Sequence, residues 1–199
     1  MKRIILWLMA IGCVFAVSCQ SAKQGSAPTA KALMVIPGAD VQDDELTITK
    51  TLLENAGIKT VVAGPELKTV NGMLGGSFEP DIAVADANPA DYTTIVFIGG
   101  NGSFALYEDA NIHALIKTFD AQGKIIAAIC AAPGILANAG VLEGKEATCY
   151  PYEPISTLLT NKGAVYLDKP VVVSDRVITG NGAEASEAFA GAIIKALQG

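Results

Sequence analysis

Histidine is almost missing from this chain: His113 is the single one in 199 residues. A zinc centre assembled from several imidazoles is therefore excluded, and no metal is expected. Four cysteines are too few for a disulfide scaffold. Charged residues make up only 17% of the chain, and 14 basic against 20 acidic side chains leave a net charge of −6, which excludes a polybasic nucleic-acid binder. No segment repeats at a fixed period. Apolar residues are plentiful at 51%, which excludes disorder, and the length suits one domain with a sizeable core.

The longest apolar run lies at the start. Met1-Lys2-Arg3 is a short basic opening, and Ile4 to Val17 is uninterrupted by charge, as in a secretory signal. That run is shorter than the roughly 20 residues a helix needs to cross the hydrocarbon core. Ala16-Val17-Ser18-Cys19 resembles a bacterial lipobox, with Ala16 where Leu is preferred. The expectation is a signal peptide over residues 1–18, a lipidated Cys19 opening a flexible tether over residues 19–30, and a folded domain over residues 31–199. The protein would then be exported and attached to the membrane only through its lipid. Removal of Lys2 and Arg3 makes the remainder more acidic, so acyl chains rather than surface charge would have to supply the attachment. Cys130 and Cys149 are the thiols left in the folded body. In an oxidising compartment a disulfide between them is chemically open.

From Lys31 onward, short Val/Ile-rich runs alternate with segments of helical period, the pattern of a mostly parallel sheet covered on both faces. Strands are expected at Ala32–Ile36, Lys59–Ala63, Thr94–Ile98, Lys124–Ile129 and Arg176–Thr179, and helices at Asp43–Ala56, Ser103–Ala121, Ala131–Ala139 and Glu184–Leu197. Leu67 to Asp86 reads as a hairpin excursion. Val165–Leu167 and Val171–Val173, on either side of Asp168-Lys169-Pro170, suggest a second one. In open sheets of this class, ligands sit beyond the carboxyl ends of the strands, so chemistry is sought there.

Cys130 follows the apolar strand Lys124–Ile129 directly and precedes Ala131-Ala132-Pro133-Gly134, which opens a helix. Strand, nucleophile and helix in succession make an elbow, whose sharp turn demands small residues two before and two after the nucleophile; Ala128 and Ala132 meet that demand. A helix N-terminus would lower the thiol pKa and favour the thiolate. Gly99-Gly100-Asn101-Gly102 also follows a strand and offers exposed amides to an anion. Gly100 to Ala105 and Gly180 to Ala185 each fit G-x-G-x-x-A, but neither follows the first strand with an acidic residue at the proper distance, so no nucleotide cofactor is expected.

The stretch IIAAICAAPGILA around Cys130 resembles the nucleophile elbow of the ThiJ/PfpI superfamily. Lys31–Ile36, Ala56-Gly57-Ile58-Lys59, Ile98-Gly99-Gly100-Asn101 and Val172 to Gly180 fall in that family's order, so the resemblance runs from about residue 31 to 199. It implies a flavodoxin-like three-layer α/β sandwich, a homodimer, and a reactive cysteine beside a protonated glutamate from the first helix, here Glu45. It also implies that the N–H groups of Gly100 and Ala131 point at a developing oxyanion. Hydrolase, glyoxalase or deglycase, and hydratase activities all remain open, with no cofactor. Many members carry a histidine after the elbow in T-x-H-P; here Ala147-Thr148-Cys149-Tyr150-Pro151 places Tyr150 there. A phenol is mostly protonated at neutral pH, so Tyr150 is expected to donate a proton rather than take one. Cys149, its neighbour in an extended piece, should face the other way. His113 is expected to be a solvated surface residue on its helix.

The resulting expectation is a thiolate at Cys130 acting on a small carbonyl-type substrate, with Glu45 and Tyr150 as proton donors. The alternative is a non-catalytic sensor or binding lipoprotein whose Cys130 is oxidised.

Overall fold

The computed structural model describes residues 30–199. The expected signal segment, Cys19 and nearly all of the tether lie outside the described residues. No helix among the described residues is long and apolar enough to cross a membrane.

In chain order the first half comprises β1 (Lys31–Val35), α1 (Asp43–Asn55), β2 (Lys59–Gly64), β3 (Val70–Asn71), β4 (Ser77–Phe78), β5 (Ile82–Ala83), β6 (Thr94–Phe97) and α2 (Ala110–Ala121). The second half comprises β7 (Ile125–Ile129), α3 (Pro133–Ala139), β8 (Glu146–Ala147), α4 (Glu153–Asn161), β9 (Val165–Tyr166), β10 (Val171–Ser174), β11 (Val177–Gly180) and α5 (Ser186–Gln198). Seven strands form one sheet in the order β10-β11-β7-β6-β1-β2-β5. All pair in parallel except β10, which runs antiparallel along β11.

Side chains alternate across this sheet with period two. Leu33, Val35, Ile95, Phe97, Ile126 and Ala128 face one layer, with Ile116 and Phe119 of α2, Ile135 of α3 and Leu159 of α4. Met34, Val96, Ala127 and Ile129 face the other, with Leu46 and Leu53 of α1 and Phe189 and Ile193 of α5. The central strands are therefore apolar on both faces, which is why β7 reads as an unbroken IIAAI. The three-layer flavodoxin-like arrangement is the one expected.

The chain leaves β1 toward β2 on one side and returns to β6 and β7 on the other. Between β1 and β6 the strand order reverses, and the loops after β1, β6 and β7 open at one crevice. The register Val35–Phe97–Ala128 aligns these strands, so Gly99 and Cys130 emerge side by side.

Several expectations are corrected. The helix expected over Ser103–Ala121 is two pieces: a 3-10 segment, Asn101–Leu106, and then α2. Asp109 makes the break, its carboxylate accepting from the N–H groups of Asn111 and Ile112 and so capping a new helix. The helix expected from Ala131 begins only at Pro133. The second hairpin does not form: β9 pairs in parallel with β8, whereas β10 joins the edge of the main sheet. The first excursion does hold β3 antiparallel to β4. The helix α4 has no counterpart in the sequence expectation.

Candidate active site

Cys130 stands at the end of β7 with φ of 64°, a left-handed conformation that is unusual for a non-glycine residue and costs of order 1–3 kcal/mol. Two backbone bonds hold the bend. Cys130 N donates to Gly180 O at 2.9 Å, and Tyr150 N donates to Cys130 O at 2.8 Å. The thiol packs between the two core layers and remains partly accessible.

Glu45 reaches the same point from the first turn of α1, where Gln42 caps the helix by accepting from Glu45 N at 2.9 Å. Its side chain is 0% exposed. Gly99 N donates to Oε2 at 3.0 Å, while Oε1 has no aligned hydrogen-bond partner. The polar group beside that carboxyl is the Cys130 thiol. Gly99 makes the approach possible, since a Cβ there would lie 2.6 Å from Cys130 Cβ and 2.7 Å from Glu45 Oε2.

Burial is the largest influence on both groups. It raises the Glu45 carboxyl to about 7, against the smaller opposing effects of the Cys130 and Gly99 contacts. The Cys130 thiol is also pushed up, first by burial and then by the negative charge of Glu45. The N–H groups of Gly100 and Ala131 lie against the sulfur and pull the other way. This corrects the expectation of a thiol pKa lowered by a helix N-terminus: α3 is only seven residues long and starts beyond Ala132, and desolvation outweighs it. It also refines the role given to Gly100 and Ala131, whose amides face the sulfur in the resting site. Once Glu45 carries its proton, its charge no longer opposes ionisation and its O–H becomes a third donor beside the sulfur. Thiol and carboxyl therefore compete for one proton.

A cavity of about 750 Å³ lies over this pair and is lined by Glu45, Gly100, Cys130, Ala131 and Tyr150 together. Tyr150 is 50% exposed on its rim. Cys149 points away into the core and is fully buried, as alternation along an extended piece requires; burial pushes its thiol up to about 12. Both cysteines are free thiols, so the structure contains no bridge between them. His113 is outside the cavity lining, but it is half-buried rather than solvated, with Nε2 at 2.8 Å from Tyr107 O. Among the described residues no group of three or more His, Cys, Asp or Glu is placed to hold a metal.

Two supports of the site were not visible in the sequence. Tyr107 Oη donates to Ala131 O at 2.7 Å, and its ring fills the space beside Gly134, where a Cβ would come within 2.2 Å. Tyr107 thus anchors the far side of Ala131, the residue whose own N–H faces the sulfur. Asp43 accepts from Leu74 N at 2.8 Å and Gly76 N at 2.6 Å, clipping the β3–β4 turn to the start of α1 and setting Met73 in the cavity wall. The aspartates before Glu45 read only as a first-turn cluster; nothing in their spacing marks Asp43 as a clip.

Residues 30–196 match the model of the DJ-1/PfpI family. The chain belongs to that family. It is 34% identical to an uncharacterized protein of Methanocaldococcus jannaschii, over 100% of this chain and 98% of that protein. It is 33% identical to a glutathione-independent glyoxalase of Caenorhabditis elegans, over 84% of this chain and 89% of the relative. Among solved structures it is similar to a ThiJ/PfpI domain protein from Brachyspira murdochii, with TM-score 0.82 and 32% identity, covering 86% of this chain and 98% of that one.

Proposed function

We propose that this DJ-1/PfpI protein acts on a small electrophilic carbonyl compound through Cys130. The supporting observation is the buried Glu45 carboxyl, with one oxygen held by Gly99 and the other without an aligned partner, next to a thiol that opens into a cavity. The thiol gives its proton to Glu45. The sulfur then adds to the carbonyl carbon, forming the C–S bond as the C=O π bond breaks. The oxygen takes the proton back from Glu45, and the product is a hemithioacetal with atoms and charge balanced. Catalytic contacts often tighten only when substrate arrives, so an unaligned resting contact suits this role. Tyr150, on the rim, supplies a second hydroxyl for proton transfer to the substrate oxygen. The glyoxalase relative favours a carbonyl substrate of this kind. The Cys19 lipid, if attached, would hold the site at an extracytoplasmic membrane surface.

The test is turnover of a panel of aldehydes, dicarbonyls and thioesters by wild type and Cys130→Ser. Turnover that disappears in the variant, with the hemithioacetal trapped at Cys130 by mass spectrometry, is the expected result. Wild type inert on the whole panel, with fast peroxide-dependent mass gain at Cys130, would overturn it in favour of oxidative sensing.

A further inference from the structure

Among the described residues, the cavity above Cys130 is built without a cation. None of the described residues lining it is Lys, Arg or His. Two acidic side chains line it instead, Glu45 at the buried end and exposed Glu184 at the rim, together with uncharged amides such as Asn101. Phe104, Tyr150 and Tyr152 present half-exposed rings to the same space. The surroundings reinforce this sign. Of the 14 basic residues, Lys2, Arg3 and Lys23 precede residue 30, leaving 11 in the described body against all 20 acidic ones.

We propose that the cavity selects its reactant by charge, admitting neutral and cationic electrophiles and excluding those that carry a carboxylate or phosphate. The proposal rests on Cys130 being the nucleophile of this site and names the class of compound that reaches it. An anion entering the cavity gives up water and finds no cation to replace it. It also meets Glu184 and the negative charge left on the Cys130–Glu45 pair once the pair loses a proton. The backbone amides of Gly100 and Ala131, at the buried end of the cavity, are already turned to the sulfur. A cation faces the opposite situation, a carboxylate and three aromatic faces. Neutral dicarbonyls and amine-bearing aldehydes therefore enter, whereas 2-oxo acids and sugar phosphates do not, even with an equally reactive carbonyl.

Alkylation rates test this without relying on turnover. Iodoacetamide and iodoacetate differ in charge and attack the same sulfur, and their rates at Cys130 of the full chain are resolved by peptide mass spectrometry at low salt. The ratio of amide to acid rates is expected to exceed that of the neutral thiol 2-mercaptoethanol by roughly tenfold and to narrow as salt is added. Glu184→Lys and Asn101→Lys, both at exposed positions, are each expected to cut the ratio by roughly threefold or more. A wild-type ratio equal to that of 2-mercaptoethanol, or one that both variants leave unmoved, would overturn the proposal. A retained ratio in a protein that turns over no carbonyl compound would sink the catalytic reading and leave charge selection standing.

Discussion

Tyr150 is tied to Cys130 through the backbone, its N–H donating to the cysteine carbonyl at 2.8 Å, while its ring stands on the cavity rim. The residue occupying the place of the family's histidine thus supports the nucleophile's bend whatever its side chain does. Tyr150→Phe should therefore leave the elbow intact. Iodoacetamide should label Cys130 at the wild-type rate, whereas turnover should fall by roughly 10- to 100-fold through loss of the hydroxyl. Turnover equal to wild type would remove Tyr150 from the chemistry.

Glu45→Gln keeps a hydrogen-bond donor beside the sulfur but cannot accept its proton. Turnover should drop by roughly 100-fold or more, whereas alkylation of Cys130 should not fall, because the charge that opposes ionisation of the thiol is gone. Glu45→Leu removes the donor as well, and alkylation at neutral pH should then fall by at least roughly tenfold. Both rates are read by stopped-flow or by mass spectrometry.

Stability should depend on the same carboxyl. Its pKa is raised from 4.5 to about 7 in the folded protein, so folded Glu45 holds a proton that the unfolded chain has already lost. The resulting stabilisation is complete below about 4.5 and is lost as pH rises through about 7, a swing of about 3 kcal/mol. Urea unfolding at pH 5 and pH 8 should show this decline in wild type and a flatter profile in Glu45→Gln. Equal slopes for the two proteins would contradict it.

Gly99 is the residue whose lack of a side chain lets thiol and carboxyl meet. Gly99→Ala places a Cβ within 2.9 Å of Ile129 O and closer still to Cys130 and Glu45. About 1–3 kcal/mol of stability should be lost to overpacking, and Cys130 alkylation should change by more than roughly tenfold. Circular dichroism during denaturation and peptide-resolved labelling measure the two effects.

The sheet was legible because each central strand is an apolar run ending at a turn, so the five strands β1, β2, β6, β7 and β11 and their parallel pairing follow from the sequence, whereas their order across the sheet does not. The elbow was legible too, since Cys130 with Ala128 and Ala132 is a local pattern. Failures arose where local pattern and distant pairing disagree. The apolar period from Ser103 onward runs through Asp109, whose cap can be recognised only once the backbone turns there. The strands β9 and β10 resemble a hairpin in sequence, but β11 and β8 offer better-placed edges. In the site, burial reversed the expected direction at Cys130, and desolvation belongs to the assembled fold rather than to any motif. Tyr107 and the Asp43 clip act across 24 and 31 or more residues of sequence, with no spacing to announce them.

The sharing of one proton between Cys130 and Glu45 is tested most directly by titrating both groups in the same protein. Cys130 is followed by its alkylation rate and ultraviolet thiolate absorbance, and the Glu45 carboxyl by carbon NMR. A shared proton predicts two steps, the first near 7 and seen at both residues, the second above the free-thiol value of about 8.5. A single thiol step at about 8.5, with Glu45 titrating in the ordinary carboxylate range, would contradict it.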